Sequence, residues 1–166
     1  MAEQNSEAVF QMQRVYIKDA SLELPNAPQI FLEKNAPKIE VAVDVGAQRL
    51  AENIFESEVT VTVTAKIDDK VAFLVECKQA GIFEIANVPE DQFDPLLGIL
   101  CPNMIYPYLR ANVADLITRT GFPPVHLSDI NFEQFYQQRL AAAQEQAQGA
   151  QQNGSGIIPL RNWLRA

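Results

Sequence analysis

Apolar and polar residues alternate along the first half of the chain with the period of two that marks half-buried strands. Val9 to Leu24 reads as the first strand, and its apolar phase changes between Met12 and Val15, which predicts a bulge. Lys38 to Gln48 alternates Ile39, Val41, Val43 and Val45 with Glu40, Ala42 and Asp44, an apolar row backed by a partly acidic one. Ser57 to Ala65 sets Val59, Val61 and Val63 against Thr60, Thr62 and Thr64, β-branched residues that suit a pleated, half-buried surface. Val71 to Gln79 sets Val71, Phe73, Val75 and Cys77 opposite Ala72, Leu74, Glu76 and Lys78. A tight turn at Asp68-Asp69 joins these last two as an antiparallel hairpin.

After Pro89 the apolar spacing changes to three and four. Leu109, Val113, Leu116 and Ile117 mark a helix. Pro107 fits only its first turn, which predicts a start near Met104 to Tyr106, and Gly121 followed by Pro123 supplies the stop. A second helix follows, capped by Asn131 with Gln134 three residues on, and Phe132, Phe135, Tyr136, Arg139 and Leu140 share one face. Burying the three aromatics and the leucine is worth about 1.5–3 kcal/mol each, so this helix is expected to lie on something. Strands first and helices later predict an α+β domain, a four-stranded antiparallel sheet with two helices packed on one side.

The folded domain is expected to end near residue 140. Residues 141–156 are low in complexity, read as a helix extension running into a flexible Gly-Ser linker. Residues 157–166 form an apolar, basic tail with Ile157, Ile158, Leu160, Trp163 and Leu164, either an engineered appendage or a tethered peptide suited to an apolar groove of the protein itself.

Charge narrows the partners. The net charge is −8, and residues 1–149 hold all 21 acids but only 11 of the 13 lysines and arginines. Such a surface repels phosphate, which argues against nucleic acid, and suits a basic protein surface or plain solubility. No apolar run is long enough for a membrane span, and MAEQNSEAVF lacks both a basic start and an apolar core, so a cytoplasmic protein without stable membrane insertion is expected. Cys77 and Cys101 sit in apolar surroundings and are expected to be buried and reduced. His126 is the one histidine, so neither a Cys–His nucleophile nor a zinc site finds its usual ligands, and no enzyme is expected.

Four strings carry a resemblance: QRVYIKDASLELPNAP near the start, FLVECKQAGIF in the fourth strand, LCPNMIYPYLRANVADLITRTGFPP in the first helix and NFEQFYQQRL in the second. Over nearly all of residues 8–140, in the same order, the chain resembles the SecB family of protein-export chaperones. The resemblance implies a crossover between the first two strands and a homotetramer built as a dimer of dimers. It implies an ATP-independent holdase for unfolded preproteins that are delivered to SecA, with no cofactor, metal or covalent chemistry.

In the family an acidic outer sheet face receives the basic, zinc-bearing tail of SecA, and the matching positions here are Asp19, Glu23, Leu74 and Glu76. Parity independently turns Leu74 and Glu76 away from the Val71, Phe73, Val75 row. The alternative is a solvated sheet face with a stray leucine. Client grooves are implied between the crossover and the second helix, with Phe31, Ile39, Val41, Phe132, Tyr136 and Leu140 as candidates and ordinary core packing as the alternative for each. The family's crossover often carries a tryptophan where this chain has Asn35, so the groove rim is expected to hold aromatic clients less tightly. Leu109, Val113 and Leu116 are the candidate oligomer interface, or else serve only their own sheet.

Two rivals share parts of this pattern. A SecB-like chaperone dedicated to a toxin–antitoxin module would have the same fold, and the retained Asp19, Glu23 and Glu76 favour the export role over it. A small-ligand carrier would show one enclosed cavity instead of open grooves.

Overall fold

The structure, a computed structural model, describes residues 6–152. Four strands form one antiparallel sheet: β1 (Val9–Glu23), β2 (Lys38–Ala51), β3 (Ile54–Ile67) and β4 (Lys70–Ala86), in the spatial order β1-β4-β3-β2. The first two strands in sequence are therefore the two edges, linked by a crossover that includes a short 3₁₀ turn at Gln29–Leu32. Ile67 pairs with Lys70 across the β3–β4 turn, where Asp68 takes a left-handed φ of 54°, as a two-residue hairpin requires.

The bulge expected in β1 is present as a register shift between Met12 and Arg14, and a second follows between Ile17 and Asp19. Across these kinks β1 keeps Phe10, Met12, Val15 and Leu22 against the core and stays paired with β4 as far as Glu23. The inner face of the sheet carries Val59, Val61, Val63, Phe73, Val75, Cys77 and Phe83, all buried.

Helices cover that inner face. A short helix α1 (Glu90–Pro95) runs through a π-turn (Leu96–Leu100) into α2 (Cys101–Thr118). The sequence expectation of a start at Met104 to Tyr106 is corrected: the helical path begins at Glu90, and Pro107 lies inside α2. An interior proline costs about 3 kcal/mol. Burial of Cys101, Ile105, Tyr106 and Leu109, at about 1.5–3 kcal/mol for each large apolar side chain, more than offsets it. The π-turn also prepares the way for Pro102, because the Cys101 N–H donates to Leu96 O, five residues back, just before a residue with no N–H to give.

Two glycines set how closely the layers approach. A Cβ on Gly81 of β4 would lie 2.8 Å from Ile105 Cγ2 of α2, so the helix descends onto bare backbone. The last helix, α3 (Phe132–Gln152), crosses the π-turn at Gly98, where a Cβ would lie 2.7 Å from the Tyr136 ring. Asn131 caps α3 as expected, its Oδ1 accepting from the Gln134 N–H at 3.0 Å. The helix extends to Gln152, and residues 153–166, including the rest of the expected linker and the Trp163 tail, lie outside the described residues.

Candidate functional site

Strand register decides which side chains share the outer face, because partners in an antiparallel ladder point to the same side. Glu23 pairs with Leu74, Ser21 with Glu76 and Asp19 with Lys78. Asp19, Glu23, Leu74 and Glu76, chosen from two separate stretches of sequence, therefore stand together on the face away from the helices. The same rows continue across β3 and β2 through Thr64 to Glu40, Thr62 to Ala42 and Thr60 to Asp44. The result is a carpet of threonines with acids on either side. Among the described residues no lysine or arginine forms an ion pair with Asp19, Glu23 or Glu76, so their charge remains available to a partner.

Further along this face the charges cancel internally. Glu56 is buried although it points outward, accepting hydrogen bonds from the Tyr16 hydroxyl, from Lys18 Nζ at 2.7 Å and from Gln48 Nε2 at 3.0 Å. Burial alone would raise its carboxyl, but the hydrogen bonds from Lys18, Tyr16 and Gln48 prevail and hold it below the ordinary carboxylate range. Burial and the neighbouring Glu56 push the Tyr16 hydroxyl up to about 12. Lys18 also pairs with Glu58 at 3.0 Å, and Lys78 stands 4.0 Å from the same carboxylate. This cluster stiffens the centre of the face and leaves its acidic character to the Asp19, Glu23 and Glu76 end.

The six client-binding candidates separate into three groups. Phe31 and Val41 are exposed, at 48% and 47%. Ile39, Tyr136 and Leu140 are half-buried. Phe132 is buried: at 1% exposure, edge-on to the Tyr106 ring at 5.5 Å between centroids, it packs into the core and anchors α3. Phe31 does not stand alone, because it stacks on Phe122 at 5.1 Å, and Phe122 in turn meets the buried Phe73 at 5.7 Å. Sequence reasoning missed Phe122, which follows the helix stop in TGFPP and has no periodicity to announce it. Gly121, at φ 83°, turns the chain so that the two rings meet.

Asn35, at the position read as a weakened aromatic rim, makes a polar link instead: its Nδ2 donates to Asp68 Oδ1 at 3.3 Å. Lys70 pairs with Glu33 at 2.9 Å, and Asn26 Nδ2 donates to Val71 O at 2.9 Å. The crossover is thus tied to the β3–β4 turn at three points.

The interface candidates are divided by burial within the single chain. Leu109 and Val113 are buried, each 0% exposed between α2 and the sheet, whereas Leu116 is half-buried. The outward side of α2 carries Asn103, Pro107, Tyr108 and Ala111. Cys77 and Cys101 are both buried, and burial pushes their thiols up to about 11 and about 12, well away from reactive thiolates. Among the described residues no cluster of metal-binding side chains occurs, and no helix is long and apolar enough to cross a membrane.

A sheet with one helix-covered face, one open acidic face and a pinned crossover bearing the exposed Phe31 makes up an open α+β scaffold. The family model described as Preprotein translocase subunit SecB matches residues 3–143. The chain is 72% identical over 159 residues to Protein-export protein SecB of Janthinobacterium sp. (strain Marseille), covering 95% of this chain and 94% of that one. It is 70% identical over 158 residues to Protein-export protein SecB of Herminiimonas arsenicoxydans, with the same coverages of 95% and 94%. Among solved structures, a Mycobacterium tuberculosis SecB-like chaperone in complex with a ChAD peptide from the HigA1 antitoxin shares the fold at a TM-score of 0.59 and 15% identity, over 73% of this chain and 87% of that one. The chain belongs to the SecB family of protein-export chaperones, which is not a class of enzymes.

Proposed function

We propose that the chain is an ATP-independent holdase that binds unfolded precursor proteins on apolar surface, keeps them competent for translocation and delivers them to SecA. The observation that carries this reading is the register that gathers Asp19, Glu23, Leu74 and Glu76 on one face of the sheet, opposite the helices. A basic partner docks there by charge complementarity and is steered to it over a distance of about a Debye length, roughly 8 Å at physiological salt. Clients bind elsewhere, on surface that includes Phe31, Ile39, Val41, Tyr136 and Leu140, to which Phe122 is added. Apolar burial rewards any sequence at about 25 cal/mol per Å², while ordering the client costs about 1–2 kcal/mol per residue, so long exposed segments bind and short ones do not.

The working unit is a homotetramer, a dimer of dimers, in which Leu116 and the outward side of α2 contribute to contacts between copies. The protein acts in the cytoplasm. The export role is favoured over a toxin–antitoxin role because the 70–72% identical relatives are named for export, whereas the 15% identical structure speaks for the fold alone. A pull-down from cytosol with the full chain as bait tests the reading. SecA and precursors still bearing signal peptides are expected in the bound fraction; recovery of antitoxin-type partners without SecA would overturn it.

A further inference from the structure

β1 changes phase twice, and the second change decides which of its acids join the outer face. Ile17 pairs with Gln79 and Asp19 with Lys78, and Lys18 is the extra residue between them. Gln79 lies on the inner face, where its Oε1 accepts from Asn112 Nδ2 of α2 at 2.7 Å, so Ile17 points inward. Leu22 pairs with Val75 and also points inward, packed against the core. Strict alternation does not put residues 17 and 22 on one face, so one residue must be absorbed between them.

The apolar row does not say where. With the extra residue at Lys18, Asp19 faces outward beside Lys78. At any later position up to Leu22, Asp19 would face inward, whereas Glu23 faces outward in every case. Burial does little to exclude the inward alternative, because Ile17, the inward residue just before, is 48% exposed at this edge of the sheet. Something else holds the extra residue at 18.

Lys18 Nζ lies 2.7 Å from Glu56 Oε1 and 3.0 Å from Glu58 Oε2, both on β3, two strands away. It reaches them past Ala80 of β4, which stands between Tyr16 and Glu58 in one row and is 0% exposed on this otherwise open face. The Glu56 side chain is itself held by Tyr16 of β1 and Gln48 of β2, so the anchor is fixed from both sides.

We propose that Lys18, clamped by Glu56 and Glu58, fixes the bulge of β1 at residues 18 and 19 and so turns Asp19 to the outer face. Lys18 is then a positioning residue for the docking of a basic partner, although its own charge opposes that partner. The role rests on the docking reading above and adds the device that assembles the acidic end of the face.

The sign of one substitution separates positioning from charge. Lys18→Met removes a cation from the face, so by charge alone a basic partner would bind more tightly. With Asp19 released to turn inward, binding is instead weakened. In calorimetry with the full chain and purified SecA, the affinity of Lys18→Met is expected to fall by about threefold to fivefold, the worth of one exposed charge pair. Lys18→Arg, which keeps a cation for both carboxylates, is expected to stay within about twofold of wild type. The double variant Lys18→Met with Glu56→Gln leaves no buried carboxylate without its counter-charge, keeps the wild-type net charge and is expected to show the same fall. Cross-strand NOEs in deuterated protein report the register: residue 19 with Lys78 in the wild type and Lys18→Arg, residue 18 with Lys78 and residue 19 with Cys77 in Lys18→Met and the double variant. An unchanged register in those two variants, or tighter SecA binding, would overturn the proposal. A shifted register with unchanged SecA binding would also overturn it where Glu76→Lys still weakens binding; if Glu76→Lys has no effect either, the docking reading falls and the proposal with it.

Discussion

Replacing Gly81 with valine is expected to destabilise the domain by about 3 kcal/mol or more, at the upper end of overpacking effects in well-packed interiors. A Cβ at this position meets Ile105 Cγ2 at 2.8 Å, Phe83 Cε2 at 2.9 Å and the Arg14 main-chain O at 3.2 Å. The first two contacts belong to buried side chains of the core, and the third is backbone of the paired strand β1, so none yields without moving α2 or opening the ladder. Gly46 of β2 is the control, because a Cβ there meets nothing within 4 Å. Gly46→Ala is expected to change stability by no more than about 0.5 kcal/mol, as substitutions away from packed features do. Urea unfolding checks both, as a large fall in midpoint for Gly81→Val and almost none for Gly46→Ala; a small effect at Gly81 would mean that α2 does not rest on the sheet as described.

Glu76→Lys is expected to weaken SecA binding by about tenfold or more, which is about 1.4 kcal/mol, while client affinity changes little. An exposed ion pair alone is worth only about 0.2–1 kcal/mol. Reversal does more, because Glu76 stands between the Asp19 and Glu23 rows on one face, and a lysine there both removes an attraction and adds a repulsion to a basic partner. Among the described residues its side chain has one hydrogen bond, from the Thr62 hydroxyl at 3.4 Å, so the fold depends on it very little. Binding measured over a range of salt should show a weaker salt dependence in the variant. Equal loss of client and SecA binding would contradict the separation of the two faces.

The alternation of valines and threonines in β3 and of Val71, Phe73, Val75 and Cys77 with Leu74 and Glu76 in β4 made both faces of the sheet legible, because side-chain direction follows parity alone. The same parity made the apolar row of β2 legible, from Ile39 through Val41 and Val43 to Val45. Strand ends were harder to read: β4 continues from Gln79 through Gly81 to Ala86, where a glycine reads as a break and only the packing of Ile105 explains it. The start of the helical run at Glu90 was hidden by Pro95, Pro102 and Pro107, whose cost is offset by burial that a sequence does not display. Leu109, Val113 and Leu116 form one apolar stripe in sequence, and only burial separates the first two, which serve the sheet, from the third. The pairing of Arg139 with Asp44 joins residues 95 apart, with no local pattern to signal it. The proposed SecA and client roles came from resemblance, since an acidic surface and an exposed phenylalanine are compatible with many partners.

The central claim is that this chain keeps a precursor unfolded without consuming nucleotide, and the refolding time course of a signal-bearing precursor diluted from denaturant tests it most directly. With the full chain in excess and no ATP, the account predicts that refolding is arrested and resumes when a competing unfolded client is added. Refolding at the unassisted rate, or arrest that requires ATP, would contradict it.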